Sequence, residues 1–305
     1  MRLAKYVLLL AVVIVIQGCQ SAAHQSVSQE TPHMLGFGIS LGDERFIDDW
    51  RFTLEMMEDR FKPDALLVEN FHPDKQPYRL HFFLNYEPYP VIYNGEKHTY
   101  IDVEVPGNTT VDVPIEVPGL SEGVHELLIV LNRKPDRYVE SDEFIPPGET
   151  TLTRLARLHV GKKTETDVSS HISYEMVQVE EAEPLHMIFL SEEPLTAFDG
   201  EKLITAITEP EQLDNLWLHF PVYQPGQTFA LMVLQDTEMI TQTYLKAENT
   251  GVAHYPLNLE LTQPENPSNL IILLAGNPFQ VPGTDEEMYE GRMVYVNNRI
   301  TVHIE

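Results

Sequence analysis

The segment Gly119-Leu120-Ser121-Glu122-Gly123 carries the G-x-S-x-G spacing that can raise a serine on a tight turn to attack an acyl carbon. That chemistry needs a strand before the turn and a helix after it. Here the turn leads into GVHELLIVL, an apolar run of strand type, so Ser121 reads as a turn residue. The twelve histidines include no H-E-x-x-H, H-x-H or H-x₃-H spacing, and His81, His98, His125, His159 and His303 all fall in strand-like runs, where structural roles are usual. Two acidic clusters have the oxygen density that calcium uses: Asp136, Glu140, Asp142 and Glu143, and then Asp285, Glu286, Glu287 and Glu290. Neither has the spacing or glycine of a helix–loop–helix calcium site, and the bland alternative is a solvated loop. Tyr86, Tyr89 and Tyr93 stand beside Pro88 and Pro90 in NYEPYPVIYNG. Prolines confine such a strand to a sheet edge, where rigid aromatics could stack on a sugar or grip a peptide, or simply pack. No cofactor and no catalytic residue is implied.

One further residue is chemically distinctive. Cys19 is the sole cysteine, and it follows a basic start (MRLAK) and an apolar run from Tyr6 to Ile16. The run is shorter than the ~20 residues of a membrane span but suits the core of a secretory signal peptide. Ile16-Gln17-Gly18-Cys19 resembles the lipobox of bacterial lipoprotein precursors. The resemblance implies a signal peptide over 1–18, diacylglyceryl transfer to the Cys19 thiol, cleavage before it, and a protein held on the outer side of a bacterial membrane. A polar stretch over 19–35 then reads as a tether, about 20 Å end to end. With no second cysteine, no intramolecular disulfide can form and a core must hold the fold.

The chain has 20 basic and 47 acidic residues, a net charge of −27. Loss of the leader removes Arg2 and Lys5 and leaves −29. Such a charge repels nucleic acid, so the expected partners are the membrane, through the lipid, and an envelope protein, peptide or glycan. With 43% hydrophobic residues in regular patterns, the body is not disordered.

The elements that must position these residues read as strands. Tyr78, Leu80, Phe82, Leu84 and Tyr86 alternate; Asn94-Gly95 sits between two β-prone runs as a hairpin turn; GVHELLIVL could be buried on both faces. Ile47, Trp50, Leu54, Met57 and Phe61 instead predict an amphipathic helix over about 46–61, with a strand through Trp50, Phe52, Leu54 and Met56 as the competing pattern. Thr208, Pro210 and Glu211 give a capping-box pattern for a short helical turn. The polar stretch 161–170 reads as a linker between two independently folding halves, 36–162 and 168–305.

Leu120, Gly123 and His125 in VPGLSEGVHELLIVL loosely resemble the tyrosine corner of immunoglobulin-like and fibronectin-type modules, with His125 at the tyrosine position. The expected fold is mainly β, two immunoglobulin-like sandwiches. The expected function is a lipid-anchored, non-catalytic binding, scaffold or envelope-interaction module. The competing classes are a cell-surface hydrolase built from distant loops and a solute-binding lipoprotein, though the strand–helix alternation of classical solute receptors is missing.

Overall fold

Alternating apolar residues need a second surface to bury them, and this chain supplies one for every sheet. A computed structural model of the protein describes residues 35–42, 44–47, 51–139, 143–161, 172–261, 266–280 and 294–304. The first half contributes β1 (Leu35–Leu41), β2 (Glu44–Ile47), β3 (Arg51–Met56), β4 (Ala65–Asn70), β5 (Gln76–Leu84), β6 (Glu87–Pro88), β7 (Val91–Tyr93), β8 (Glu96–His98), β9 (Tyr100–Val105), β10 (Thr109–Val113), β11 (Gly123–Arg133) and β12 (Thr151–Val160). The second half contributes β13 (Glu175–Met176), β14 (Gln178–Glu180), β15 (Phe189–Ser191), β16 (Ala206–Ile207), β17 (Leu216–Val222), β18 (Thr228–Gln235), β19 (Glu238–Lys246), β20 (Gly251–Leu257), β21 (Ser268–Gly276), β22 (Val294–Val296) and β23 (Ile300–Val302). Single helical turns lie at Pro147–Thr150 (α1) and Pro210–Leu213 (α2). The protein is mainly β, as its patterning predicts.

Four of the five sheets among the described residues stack in layers, the fifth being the two-stranded β7–β8. In the first sandwich, the sheet β10-β4-β1-β2 faces the sheet β3-β12-β11-β5-β6, whose β5 also pairs with β9. Phe37, Ile39, Leu66 and Val68 from one meet Leu80, Phe82, Leu127, Ile129 and Leu158 from the other. In the second, β13-β19-β18-β21-β23-β16 faces β14-β20-β17-β15, with Leu231, Val233, Ile272 and Leu274 against Leu218, Phe220 and Ala253. The two inner sheets then pack on each other. Phe83, Leu128, Val130 and Leu155 of the first half meet Ala230, Met232, Leu234, Ile271 and Leu273 of the second.

Period-two geometry explains this use of sequence. Along β11, Leu127, Ile129 and Leu131 point to the outer core while Leu128 and Val130 point to the seam. In β21, Leu270, Ile272 and Leu274 face one way and Ile271, Leu273 and Ala275 the other. Strands that are apolar at every position are therefore inner-sheet strands. Of the expected linker, 161–170, only Gly161 is among the described residues, and the seam bears on separating the halves. Each half alone would show water a face of Leu, Met, Phe and Val, each worth about 1.5–3 kcal/mol when buried. Separately expressed halves are expected to bind a hydrophobic dye and self-associate, and to recover a 1:1 complex on mixing. Two halves that each stay monomeric and dye-silent would argue for folding without the seam.

Two local expectations need correction. The helix expected over about 46–61 is not formed: β2 pairs with β1, and β3 pairs in parallel with β12. Phe52, Leu54 and Met56 pack on the first core while Thr53 and Glu55 are exposed, a period of two, and Met57 is 84% exposed. The free edge of β12 offers hydrogen bonds and an apolar surface that a lone helix would forgo; Trp50 lies outside the described residues. The helical turn near 208 is present as α2, but its cap is shifted by one residue. The Gln212 side chain, not Glu211, accepts from the backbone N–H of Glu209 at 3.1 Å and of Thr208 at 2.8 Å. The Asn94-Gly95 hairpin forms between β7 and β8, with both turn residues at positive φ, 51° and 84°.

Candidate functional site

The seam carries the most unusual chemistry. Glu126 on β11 and Arg157 on β12 are directly opposite in the antiparallel register. Both side chains are essentially without solvent, and Arg157 Nη2 lies 3.3 Å from Glu126 Oε1. A buried pair persists only when its remaining lone pairs and protons are also satisfied. Here Tyr86 Oη–H donates to Glu126 Oε2, the Phe279 N–H donates to the same oxygen at 3.0 Å, and Arg157 Nη1 donates to the Gln280 carbonyl at 2.7 Å. Phe279 and Gln280 follow β21, so the pair ties the two sandwiches together.

Tyr86 reaches Glu126 because the chain reverses just before it. Leu84 pairs with Glu87, leaving Asn85-Tyr86 as a two-residue turn with φ of 53° and 70°. Such turns favour glycine at the second position, and a bulky residue there is held by its surroundings. Tyr86 is fully buried, ring edge against Phe279 at 5.4 Å and Tyr244 at 6.4 Å. Asn85 Oδ1 accepts from the Glu126 N–H at 3.0 Å, which fixes the other half of the turn.

Above this brace opens a cleft of about 340 Å³ lined by Asn85, Glu87, Tyr89, Ile172, Tyr244 and Phe279. Tyr89 Oη donates to the Pro118 carbonyl at 2.6 Å and Tyr244 Oη to the Asn85 carbonyl at 3.3 Å, so both phenols are tethered. Burial pushes the Tyr244 hydroxyl up to about 12, a hydrogen bond with Gln242 opposing the rise and Glu87, Tyr174 and Glu126 adding to it. A larger cleft, about 540 Å³, lies between β1, the start of β12 and β22. Its arginine, Arg154, is buried, donating to the Thr153 carbonyl and lying over the Phe37 ring.

The three tyrosines singled out by sequence are thus not one exposed row. Tyr86 is buried beneath the seam, Tyr89 lines the cleft, and Tyr93 stands apart against His98 in a separate hollow with Tyr100 and Asp102. The correction for Tyr86 follows from its positive-φ turn, which takes it off the face that Tyr78, Leu80 and Phe82 share and into the seam cluster. Tyr244 and Phe279 were missed because nothing local links them to Tyr89.

In the first acidic cluster, Asp136 lies 3.7 Å from Arg79 and Glu143 pairs with Arg137, so these carboxylates meet arginines. Glu140, Asp142, the whole second cluster (285–290) and Cys19 lie outside the described residues. Among the described residues no group of three or more His, Cys, Asp or Glu side chains is placed to hold a metal ion. Ser121 precedes a strand, and a ring nitrogen of His125 reaches the Ser121 carbonyl at 2.9 Å, the backbone contact that a corner tyrosine makes.

A second buried chain of polar groups lies in the second sandwich. Ser191 Oγ is 2.7 Å from His219 Nε2, and His219 Nδ1 is 2.9 Å from His254 Nδ1. The geometry matches a nucleophile and base, but Ser191 and His219 are wholly buried and Ser191 also donates to the Glu193 carbonyl. Burial, then the neighbouring His254, pushes His219 down to about 4, and burial also lowers His254.

No protein-family model matches the chain, and no curated protein matches it. Solved structures similar to it include the ASH/PapD-like domain 7 of human CEP192, with 12% identity and a TM-score of 0.28 over 47% of this chain and 100% of that one. The E. coli chaperone DraB gives 9% identity and a TM-score of 0.27 over 89% of this chain and 97% of that one. Red sea bream transglutaminase gives 10% identity and a TM-score of 0.24 over 90% of this chain and 31% of that one. Likenesses at these scores carry no argument, and the sandwich class rests on the sheets themselves.

Proposed function

We propose that the chain is a lipid-anchored module on the outer side of a bacterial membrane that binds its ligand rather than transforming it. The observation that carries the binding reading is the seam cleft: aromatic walls tethered by their own hydroxyls, over a floor whose charges are already closed on one another. A site built that way offers fixed shape and π-faces, which suits recognition. The anchor rests on the leader and the Ile16–Cys19 motif. The hydrolase alternative draws on the Ser191–His219 contact, and it requires a substrate to reach a serine that is fully buried.

Two measurements test the proposal. Cys19→Ser is expected to remove the lipid mass and shift the protein from the membrane to the soluble fraction, or to stall it as the uncut precursor. Retention of a mature, membrane-bound chain without lipid would overturn the anchor. Cross-linking in native membranes is expected to capture one envelope component with the wild type and lose it with Tyr89→Ala; capture indifferent to that change would move the binding surface elsewhere.

A further inference from the structure

We propose that the seam cleft is a binding site for a small alkylammonium ion, a quaternary or methylated amine. This names the ligand of the binding-module reading and rests on it. Three aromatic side chains, Tyr89, Tyr244 and Phe279, line one cleft of about 340 Å³. Tyr244 and Phe279 stand 6.3 Å apart with ring planes tilted by 45°, two walls of a V. The face of an aromatic ring carries negative potential and attracts a cation within about 6 Å of its centre, most strongly where water is displaced. The walls are set before any ligand arrives: the buried Tyr86 ring meets both edge-on at 85° and 87°, and Tyr174 meets Tyr244 at 71°.

Charge points the same way. Glu87 lines the cleft, is exposed, and has no cationic partner among the described residues. Among the described residues, no lysine or arginine lines the cleft. The Tyr244 hydroxyl pKa is raised first by burial, and Glu87 adds to the rise, which places that carboxylate's charge within reach of the cleft wall. A neutral sugar fits less well, because the Tyr89 and Tyr244 hydroxyls already donate to carbonyls and ring faces are what remains. The volume lies at the small end of the ~300–1,000 Å³ typical of ligand pockets, which selects a small cation.

The test is calorimetric titration of the full chain in a non-ionic detergent with choline and with 3,3-dimethyl-1-butanol, its uncharged carbon isostere. Choline is expected to bind saturably, and the isostere at least about ten-fold more weakly. Glu87→Gln, on an exposed side chain, is expected to weaken choline about five-fold, and Phe279→Leu to weaken it about ten-fold while keeping the volume filled. Equal binding of the isostere, absence of saturable choline binding, or indifference to both substitutions would overturn the assignment. If the wild type captures an envelope component but does not bind choline, the ammonium assignment alone falls; if the wild type captures none, the broader reading falls with it.

Discussion

Glu126→Leu is expected to lower the unfolding free energy by about 3–5 kcal/mol, because it leaves the Arg157 guanidinium buried beside an apolar side chain. Arg157→Met should cost a similar amount for the mirror reason. Replacing both together should cost less than either alone, since two well-packed apolar residues bury no orphaned charge. Tyr86→Phe removes only the hydroxyl that donates to Glu126 and should cost about 1–3 kcal/mol. Denaturant melts of the four variants provide the check. A Glu126→Leu protein within 1 kcal/mol of wild type would show that the pair carries little of the seam's stability.

The second large effect is acid sensitivity. His81 is pushed down to about 4 by burial and then by Arg79, and His219 to about 4 by burial and then by His254. A histidine whose folded pKa is depressed binds more protons when unfolded, so its neutral form contributes fully above the unfolded value of 6.5. That contribution is lost as pH falls from 6.5 toward 4, on the order of 3 kcal/mol for each of these two groups. Relief of repulsion among the many carboxylates acts in the opposite direction. The difference between wild type and His81→Leu isolates the histidine: the wild type should lose more stability than the variant between pH 7 and pH 5. Parallel curves would contradict a buried neutral His81.

Much of the architecture was written in local pattern. The Asn94-Gly95 turn is a two-residue signal with fixed stereochemistry and the alternation from Tyr78 to Leu84 a strand-length one, and both have their expected structure. The seam was not legible in that way. A run such as Leu127 to Leu131 says that both faces are buried but not what lies against them. Glu126 and Arg157 each break a largely apolar strand, and read singly each passes for a solvent-facing residue. Only the β11–β12 register, which sets them opposite, turns two anomalies into one interaction. Tyr86 escapes the pattern for a related reason: without a glycine, Asn85-Tyr86 gives no clear turn signal, and the alternation of β5 continues in sequence one residue pair beyond the strand's end. The helix expected over 46–61 failed because spacings of three and four also fit a pair of short strands once a sheet edge is available.

The parallel pairing of β3 with β12 has a kinetic meaning. Antiparallel neighbours can zip from a turn, but β3 has to wait for a partner that follows about a hundred residues later in the chain. The second half repeats the arrangement, with β16 held in parallel by β23 close to the end of the sequence. Closing such long loops must precede the contacts that reward it, so each sandwich stays open on one side until its last strand arrives. A chain emerging from its N-terminus therefore pairs β3 only once residue 160 is near and β16 only once residue 302 is near. Until β18 and β21 have followed, the inner strands of the first half have no second sheet to cover them, which makes that interval the period of greatest exposure to misassembly.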